Sequence, residues 1–167
     1  MTPPQRRLNN AAGRRTDHMA QQDTTPEPAS STMREPAKRP CGSCPYRCDT
    51  PSGVWAPEEY AKLPEYDRPT SEQPIGVFLC HQQDGRVCAG WAGTHDMAHN
   101  LAIRLASVTG SMDDDTVDAV IDYESPVELF PSGQEAARHG LKQVAEPGER
   151  AEKTIEKLLR RRALREQ

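Results

Sequence analysis

The sequence predicts an α+β fold, in which a small cysteine-rich domain with a β-hairpin is followed by a helical C-terminal extension and preceded by a disordered N-terminal tail. Three observations predict it. All five cysteines lie between residues 41 and 88, strand-like residues at 75–91 surround a turn signal, and helical apolar spacing dominates after residue 96. The predicted limits are 1–38 for the basic tail, 39–110 for the cysteine-rich domain and 111–167 for the extension.

The N-terminal tail is predicted to be disordered because it cannot bury enough apolar surface to offset the entropy of ordering. The first 40 residues contain no Val, Ile, Phe, Tyr or Trp and hold six of the fifteen prolines. All eight aromatic residues come later. Met19 and Met33 are internal methionines, and a chain that starts at Met33 would begin compactly, just before the first cysteine.

The cysteines form two pairs and leave one over. The first pair is a C-x-x-C knuckle, and the second pair lies on either side of an Asp84-Gly85 turn. Two pairs of thiolates on such turns make the tetrahedral four-sulfur set of zinc ribbons and related modules. The candidate metal ligands are therefore the four paired cysteines: Cys41, Cys44, Cys80 and Cys88.

The register of the predicted hairpin decides which side chains meet at the metal. A two-residue loop at Asp84-Gly85 would pair His81 with Cys88 and place Cys80 on the opposite face. A three-residue loop pairs Cys80 with Cys88 and collects five apolar residues on one face, namely Val77, Leu79, Val87, Ala89 and Trp91. The single apolar face favours the second register, with His81 and Cys48 as reserve ligands.

Zinc and iron–sulfur centres both accept four thiolates. Ligand counting favours zinc, with Cys48 as the spare thiol. If Cys48 joins Cys41 and Cys44 instead, a 4Fe-4S cluster completed by Cys80 or Cys88 becomes the alternative. A domain of roughly 70 residues gains little stability from its core alone, so a bound metal would serve as a staple of the fold.

Helices are predicted from apolar spacing and capping residues. Pro57 suits a first helical turn, while Ser111 and Ser132 are N-caps, the latter in a capping box with Glu135. The predicted helices are 57–63, 96–106, 111–121, 132–144 and 149–165. The last helix carries an apolar stripe that indicates a packing face, made of Ala151, Ile155, Leu158 and Leu159.

Charge is segregated along the chain. Residues 41–148 carry a net charge of −10, whereas 1–40 and 149–167 carry +3 each. Basic ends on an acidic body favour a protein partner, or weak and non-specific nucleic-acid binding through the ends. No apolar run approaches a membrane span and no secretory signal is present, so the sequence predicts a cytoplasmic protein, where clustered thiols indicate metal or redox chemistry.

Three enzyme patterns are incomplete. Pro40-Cys-Gly-Ser-Cys44 matches half of the zinc-deaminase signature but lacks an upstream H-x-E. The C-x-x-C pair does not follow a strand, as a thioredoxin-like redox site would require. His95 and His99 are spaced as in zincins, but Asp96 replaces the glutamate and no third ligand is evident. The sequence therefore favours a protein that is not an enzyme.

Four short motifs carry a family resemblance: Cys-Gly-Ser-Cys-Pro-Tyr-Arg at 41–47, Gly-Val-Trp at 53–55, Phe-Leu-Cys-His at 78–81 and Cys-Ala-Gly-Trp at 88–91. Together they resemble a small cysteine-rich family of unknown function from actinobacteria and their phages, over about residues 39–107. That resemblance implies no activity.

A narrower resemblance concerns the knuckle alone. C-x-x-C-P-x-R followed by Gly-Val-Trp is similar to part of the WhiB-like iron–sulfur regulators, which implies an iron–sulfur redox or sensor protein acting in transcription regulation. The chain departs from that pattern because Cys48 follows Cys44 closely and the tail contains no cysteine. The reading that the sequence favours is a metal-binding interaction or regulatory module, with the iron–sulfur sensor as its alternative.

Overall fold

The computed structural model describes residues 33–166, which fold into short helices joined by turns. Three 3₁₀ turns lie at Leu63–Asp67, Thr70–Glu72 and Met97–His99. The α-helices of this part of the chain are α1 (Pro57–Ala61), α2 (Ala89–Thr94), α3 (Leu101–Val108), α4 (Asp114–Ile121), α5 (Gly133–Leu141) and α6 (Glu149–Arg165). The predicted disordered tail falls, up to residue 32, outside the described residues.

The predicted α+β fold with a zinc-ribbon-like knuckle and β-hairpin is wrong. Residues 33–166 contain no sheet and no hairpin, and extended segments touch only at isolated bridges. The bridges are Arg34 with Arg86, Arg47 with Leu129, and Leu79 with Val87. The domain is helical, and its backbone hydrogen bonds lie mainly within helices and turns.

The hairpin fails because one of its arms becomes a helix. The chain does reverse at Gly85, which has a φ of 69°, and Leu79 lies opposite Val87. Pairing then stops, since Ala89 begins α2 and Trp91 is buried in the core as a helical residue. Both predicted registers are wrong. The observed register differs from the favoured one by two residues, so each side chain stays on the face that was predicted for it. Cys80 therefore stays on the side of Cys88.

The predicted helices correspond to α1 and α3–α6; α1 and α6 begin where predicted, whereas α3, α4 and α5 begin later. Ser132 caps α5 as predicted, because its hydroxyl accepts the N–H of Glu135 at 3.1 Å. The cap of α4 is Asp113 rather than Ser111, with its carboxylate 2.7 Å from the N–H of Thr116. The predicted 96–106 helix is divided, and its α-helical part begins after Asn100, whose side chain accepts two backbone N–H groups.

The core is continuous, and nearly every element contributes to it. Its largest fully buried side chains include Trp91, Tyr46, Tyr60, Leu63, Ile103 and Met112. The prediction of a small core that a metal must stabilise is wrong, because apolar packing connects the knuckle, α2 and the C-terminal helices. Within residues 33–166, no group of three or more His, Cys, Asp or Glu side chains is arranged to hold a metal ion and so staple the fold.

Helix α5 packs directly against α1 and the 3₁₀ turn that follows it. A Cβ on Gly140 would lie 2.0 Å from the ring of Tyr60, so only glycine permits this approach. The carboxylate of Asp67 accepts the N–H groups of Gly133 and Gln134 at 2.8 and 2.7 Å, which fixes the start of α5. Among the described residues no helix combines the length and apolar character that crossing a membrane requires.

Candidate metal centre

The four cysteines predicted as metal ligands lie together. The sulfurs of Cys44 and Cys88 are 3.8 Å apart, and both side chains are buried. The Cys41 thiol interacts with the thiols of both Cys44 and Cys80. The sulfurs thus form a row in the order Cys80, Cys41, Cys44, Cys88, which we call the thiol row. No cysteine of the described chain is in a disulfide.

The thiol row is not a closed coordination sphere. Its sulfurs contact one another in pairs, and no three ligand groups of residues 33–166 are arranged around a single metal position. A tetrahedral zinc site with Zn–S bonds of about 2.3 Å separates its sulfurs by about 3.8 Å. The distance between Cys44 and Cys88 matches one edge of that tetrahedron.

Two similar turns present the outer thiols of the row. The knuckle is closed by the N–H of Cys44, which donates to the carbonyl of Cys41 at 3.0 Å. Within it, the backbone N–H of Ser43 acts to lower the pKa of the Cys41 thiol, and the backbone N–H of Gln82 acts in the same direction on the pKa of Cys80, in the same i, i+2 relation. At Cys80 the interaction with Cys41 and burial outweigh this effect and raise the pKa, so only the knuckle turn favours a thiolate.

The protons of the thiol row are coupled. Hydrogen bonds from Cys44 and then Cys80 lower the pKa of the Cys41 thiol. The same bonds, together with burial, raise the pKa values of Cys44 and Cys80, because these thiols donate to Cys41. Deprotonation of Cys41 therefore makes deprotonation of Cys44 and Cys80 harder. A bound metal cation would remove this obstacle, because it replaces the protons between the sulfurs.

Helix α2 makes room for the sulfur of Cys44. A Cβ on Gly90 would lie 2.2 Å from this sulfur and 3.0 Å from the Cβ of Tyr46. The knuckle is also held from outside, since the indole of Trp55 donates to the carbonyl of Ser43 at 2.7 Å. Gly90 was not among the residues predicted from the sequence, although its position two residues after Cys88 is a signal that could have indicated it.

A cation lies beside the row. The guanidinium of Arg47 donates to the carbonyl of Pro40 at 3.2 Å and to the carboxylate of Asp49 at 2.7 Å. Its charge interacts with Cys41 and Cys44, where it would offset part of the negative charge of the thiolates. Arg47 is buried, although arginine is mostly exposed in proteins.

The two reserve ligands are not hydrogen-bonded to the thiol row in the described structure. Burial, followed by the charges of Glu128 and Asp49, raises the pKa of Cys48, whose thiol lies near carboxylates rather than other cysteines. The ring of His81 stacks on Trp55 at 4.5 Å, and burial lowers its pKa.

The zincin-like histidines do not converge on a shared position. His95 bonds to the carbonyl of Trp91 and the carboxylate of Asp67, both at 3.0 Å. His99 bonds to Asp96 at 2.8 Å on the surface. Each imidazole is therefore engaged with its own acceptors.

The helical fold and the thiol row, whose two inner cysteines are buried, define a small cysteine-rich helical protein. The chain belongs to a family of unknown function (DUF6283), whose model matches residues 36–162. The comparison with curated proteins gave no match, and neither did the comparison with solved structures.

Proposed function

We propose that this protein is a metal-binding module that uses its four clustered cysteines to hold one metal ion, with zinc favoured, and that it acts in the cytoplasm by interaction rather than by catalysis. The observation that carries the proposal is the 3.8 Å contact between the buried sulfurs of Cys44 and Cys88. Buried thiols that face one another without forming a disulfide are suited to bind a soft or borderline metal. The interaction of the Cys41 thiol with the thiols of Cys44 and Cys80 supports the same interpretation.

The geometry supports a mononuclear site better than a 4Fe-4S cluster. In such a cluster each cysteine binds a different iron, so the sulfurs lie further apart than around a single ion. The cluster alternative also needed Cys48 beside the knuckle thiols, whereas the neighbours of Cys48 are carboxylates. The likeness to WhiB-like regulators, and an origin in actinobacteria or their phages, remain proposals that rest on short motifs.

The surface of α6 supports a protein partner over nucleic acid. Several of its cations are already paired within the chain, including Lys153 with Glu149, Arg160 with Glu156 and Arg165 with Asp84. Paired cations contribute less to phosphate binding, which depends on charges that can release counterions from the nucleic acid. We therefore place the interaction role ahead of backbone binding by the basic ends.

The test is metal content combined with a cysteine series. Full-length protein purified under reducing conditions should contain one metal ion per chain by elemental analysis, and cobalt substitution should give intense thiolate-to-cobalt charge-transfer bands. Cys80→Ser or Cys88→Ser should weaken those bands and lower the metal content, whereas Cys48→Ser, the matched control, should leave both unchanged. Protein that binds no metal would refute the proposal, as would a series in which Cys48→Ser has the largest effect.

A further inference from the structure

We propose that helix α6 carries a clasp that controls how fast metal enters and leaves the thiol row. The clasp consists of Arg161 and Arg165 of α6 together with Gln82 and Ser43. The inference rests on the proposed metal site, and it adds a regulatory role for the last helix. The contacts that carry it are hydrogen bonds between α6 and the two turns that present the thiols.

Gln82 is the centre of the clasp. Arg165 donates to its backbone carbonyl, and Arg161 donates to its side-chain oxygen Oε1. The amide Nε2 of Gln82 then donates to the hydroxyl of Ser43. A second bond from Arg165 reaches Asp84 in the same turn at 3.1 Å. Gln82 thereby links helix α6 to the knuckle by hydrogen bonds.

The clasp acts on the residues that orient the outer thiols. Ser43 and Gln82 lie two residues after Cys41 and Cys80 in the two turns, and the hydroxyl of Ser43 lies 4.0 Å from the sulfur of Cys41. The Gln82–Ser43 bond holds these two turns against each other. The two inner thiols are buried, whereas Cys41 and Cys80 on the two turns are half-buried. A chelator or a competing metal would therefore reach the outer thiols first, and separation of the turns would open the way to the inner ones. Breaking the clasp therefore lowers the barrier to metal exchange.

The end of α6 is held weakly enough to move. Ala151 is the buried residue of this helix, with Ile155 and Leu158 partly buried against the core. Further on, Leu159 and Leu164 are 58% and 73% exposed. Among the described residues, the hydrogen bonds that join the last turns of α6 to the rest of the chain all reach Gln82 or Asp84. Such a segment opens locally without global unfolding.

The experiment compares metal release from variants of the full-length protein. All of them carry Cys48→Ser, so that the spare thiol neither binds metal nor reacts with the reagent. In the test variant, Arg161→Ala and Arg165→Ala remove both arginine contacts. In the matched control, Lys153→Ala and Arg160→Ala remove two cations of the same helix that pair only within it. The readouts are the rate of zinc transfer to a colorimetric chelator and, in metal-free reduced protein, the rate at which a disulfide reagent modifies the thiols.

We expect both rates to rise about five- to tenfold in the test variant, as the loss of three charge-assisted but exposed hydrogen bonds implies, and to stay within about twofold in the control. Gln82→Ala should reproduce the increase and provides a second variant if the double substitution unfolds the chain. Unchanged rates in the test variant with normal metal content would overturn the clasp and leave the proposed function standing. Equal acceleration in the control would also overturn it, whereas wild-type protein without metal would refute the proposed function itself.

Discussion

Replacing Gly90 with alanine sets helix propensity against packing at the thiol row. Alanine stabilises a helix interior over glycine by about 0.8–1.0 kcal/mol, so propensity alone predicts a more stable protein. At this position, however, the new Cβ would lie 2.2 Å from the sulfur of Cys44 and 3.0 Å from the Cβ of Tyr46. Both neighbours are fully buried, at 1% and 0% exposed, and have little room to yield.

The structure indicates which effect is larger. Ordinary contact distances of 3.5–4.0 Å require the sulfur or the helix to move by about 1.5 Å. Overpacking of this kind costs about 1–3 kcal/mol, which exceeds the gain in propensity. After the gain in propensity is subtracted, we expect Gly90→Ala to lower the free energy of unfolding by up to about 2 kcal/mol, and a loss of about 1.4 kcal/mol at the displaced sulfur would weaken metal binding about tenfold.

Urea unfolding of metal-free reduced protein measures the first effect, and competition with a chelator measures the second. The control is Gly76→Ala, at an exposed position outside the helices where a new Cβ would meet nothing within 4 Å. Without a clash, the control should stay close to wild type in both measurements. A Gly90→Ala protein as stable as wild type, with the same metal affinity, would refute the placement of Cys44 against α2.

Three further predictions concern packing, charge and metal removal. Gly140→Ala should lower the free energy of unfolding by about 1–3 kcal/mol and reduce the Tm, since its Cβ would clash with the buried ring of Tyr60; an unchanged Tm would contradict the packing of α5. The Arg47 guanidinium lowers the pKa of Asp49 below its ordinary value of 3.8. The Arg47–Asp49 pair therefore stabilises the fold above pH 3.8, and this stabilisation is lost as the pH falls through the lowered pKa. The stability difference between wild type and Asp49→Asn should accordingly shrink under acid, and a difference that grows there would contradict the pair. Metal removal under reducing conditions should leave the helical circular dichroism nearly unchanged while amide exchange rises in the two thiol turns, because the core is apolar and continuous; collapse of the helical signal would contradict this.

The helical half of the fold could be predicted because its signals are local. Periodic apolar residues and a side-chain cap such as Ser132 act within one or two turns, and the structure has helices where these signals occur. The hairpin could not be predicted reliably, because the short run from Cys88 to Trp91 suits a strand and a buried helix equally. The burial of Trp91 in the core favours the helix. This burial depends on tertiary contacts, which the local sequence does not show.

The candidate site also has some features that the local sequence predicts and others that depend on distant residues. The C-x-x-C spacing and the turn at Gly85 were enough to single out the four cysteines that the structure brings together. The roles of Gly90 and Gln82 depend on neighbours far along the chain, namely Cys44 and Arg161. Nothing in the immediate sequence around either residue indicates such a contact.

The most direct test of the metal site is X-ray absorption at the metal edge of the purified, reduced, full-length protein. We expect a first shell of four sulfurs at about 2.3 Å around a single zinc ion, and a spectrum that is the same in Cys48→Ser. A first shell dominated by nitrogen or oxygen, an iron spectrum with a metal–metal distance, or a sulfur shell that changes in Cys48→Ser would contradict it.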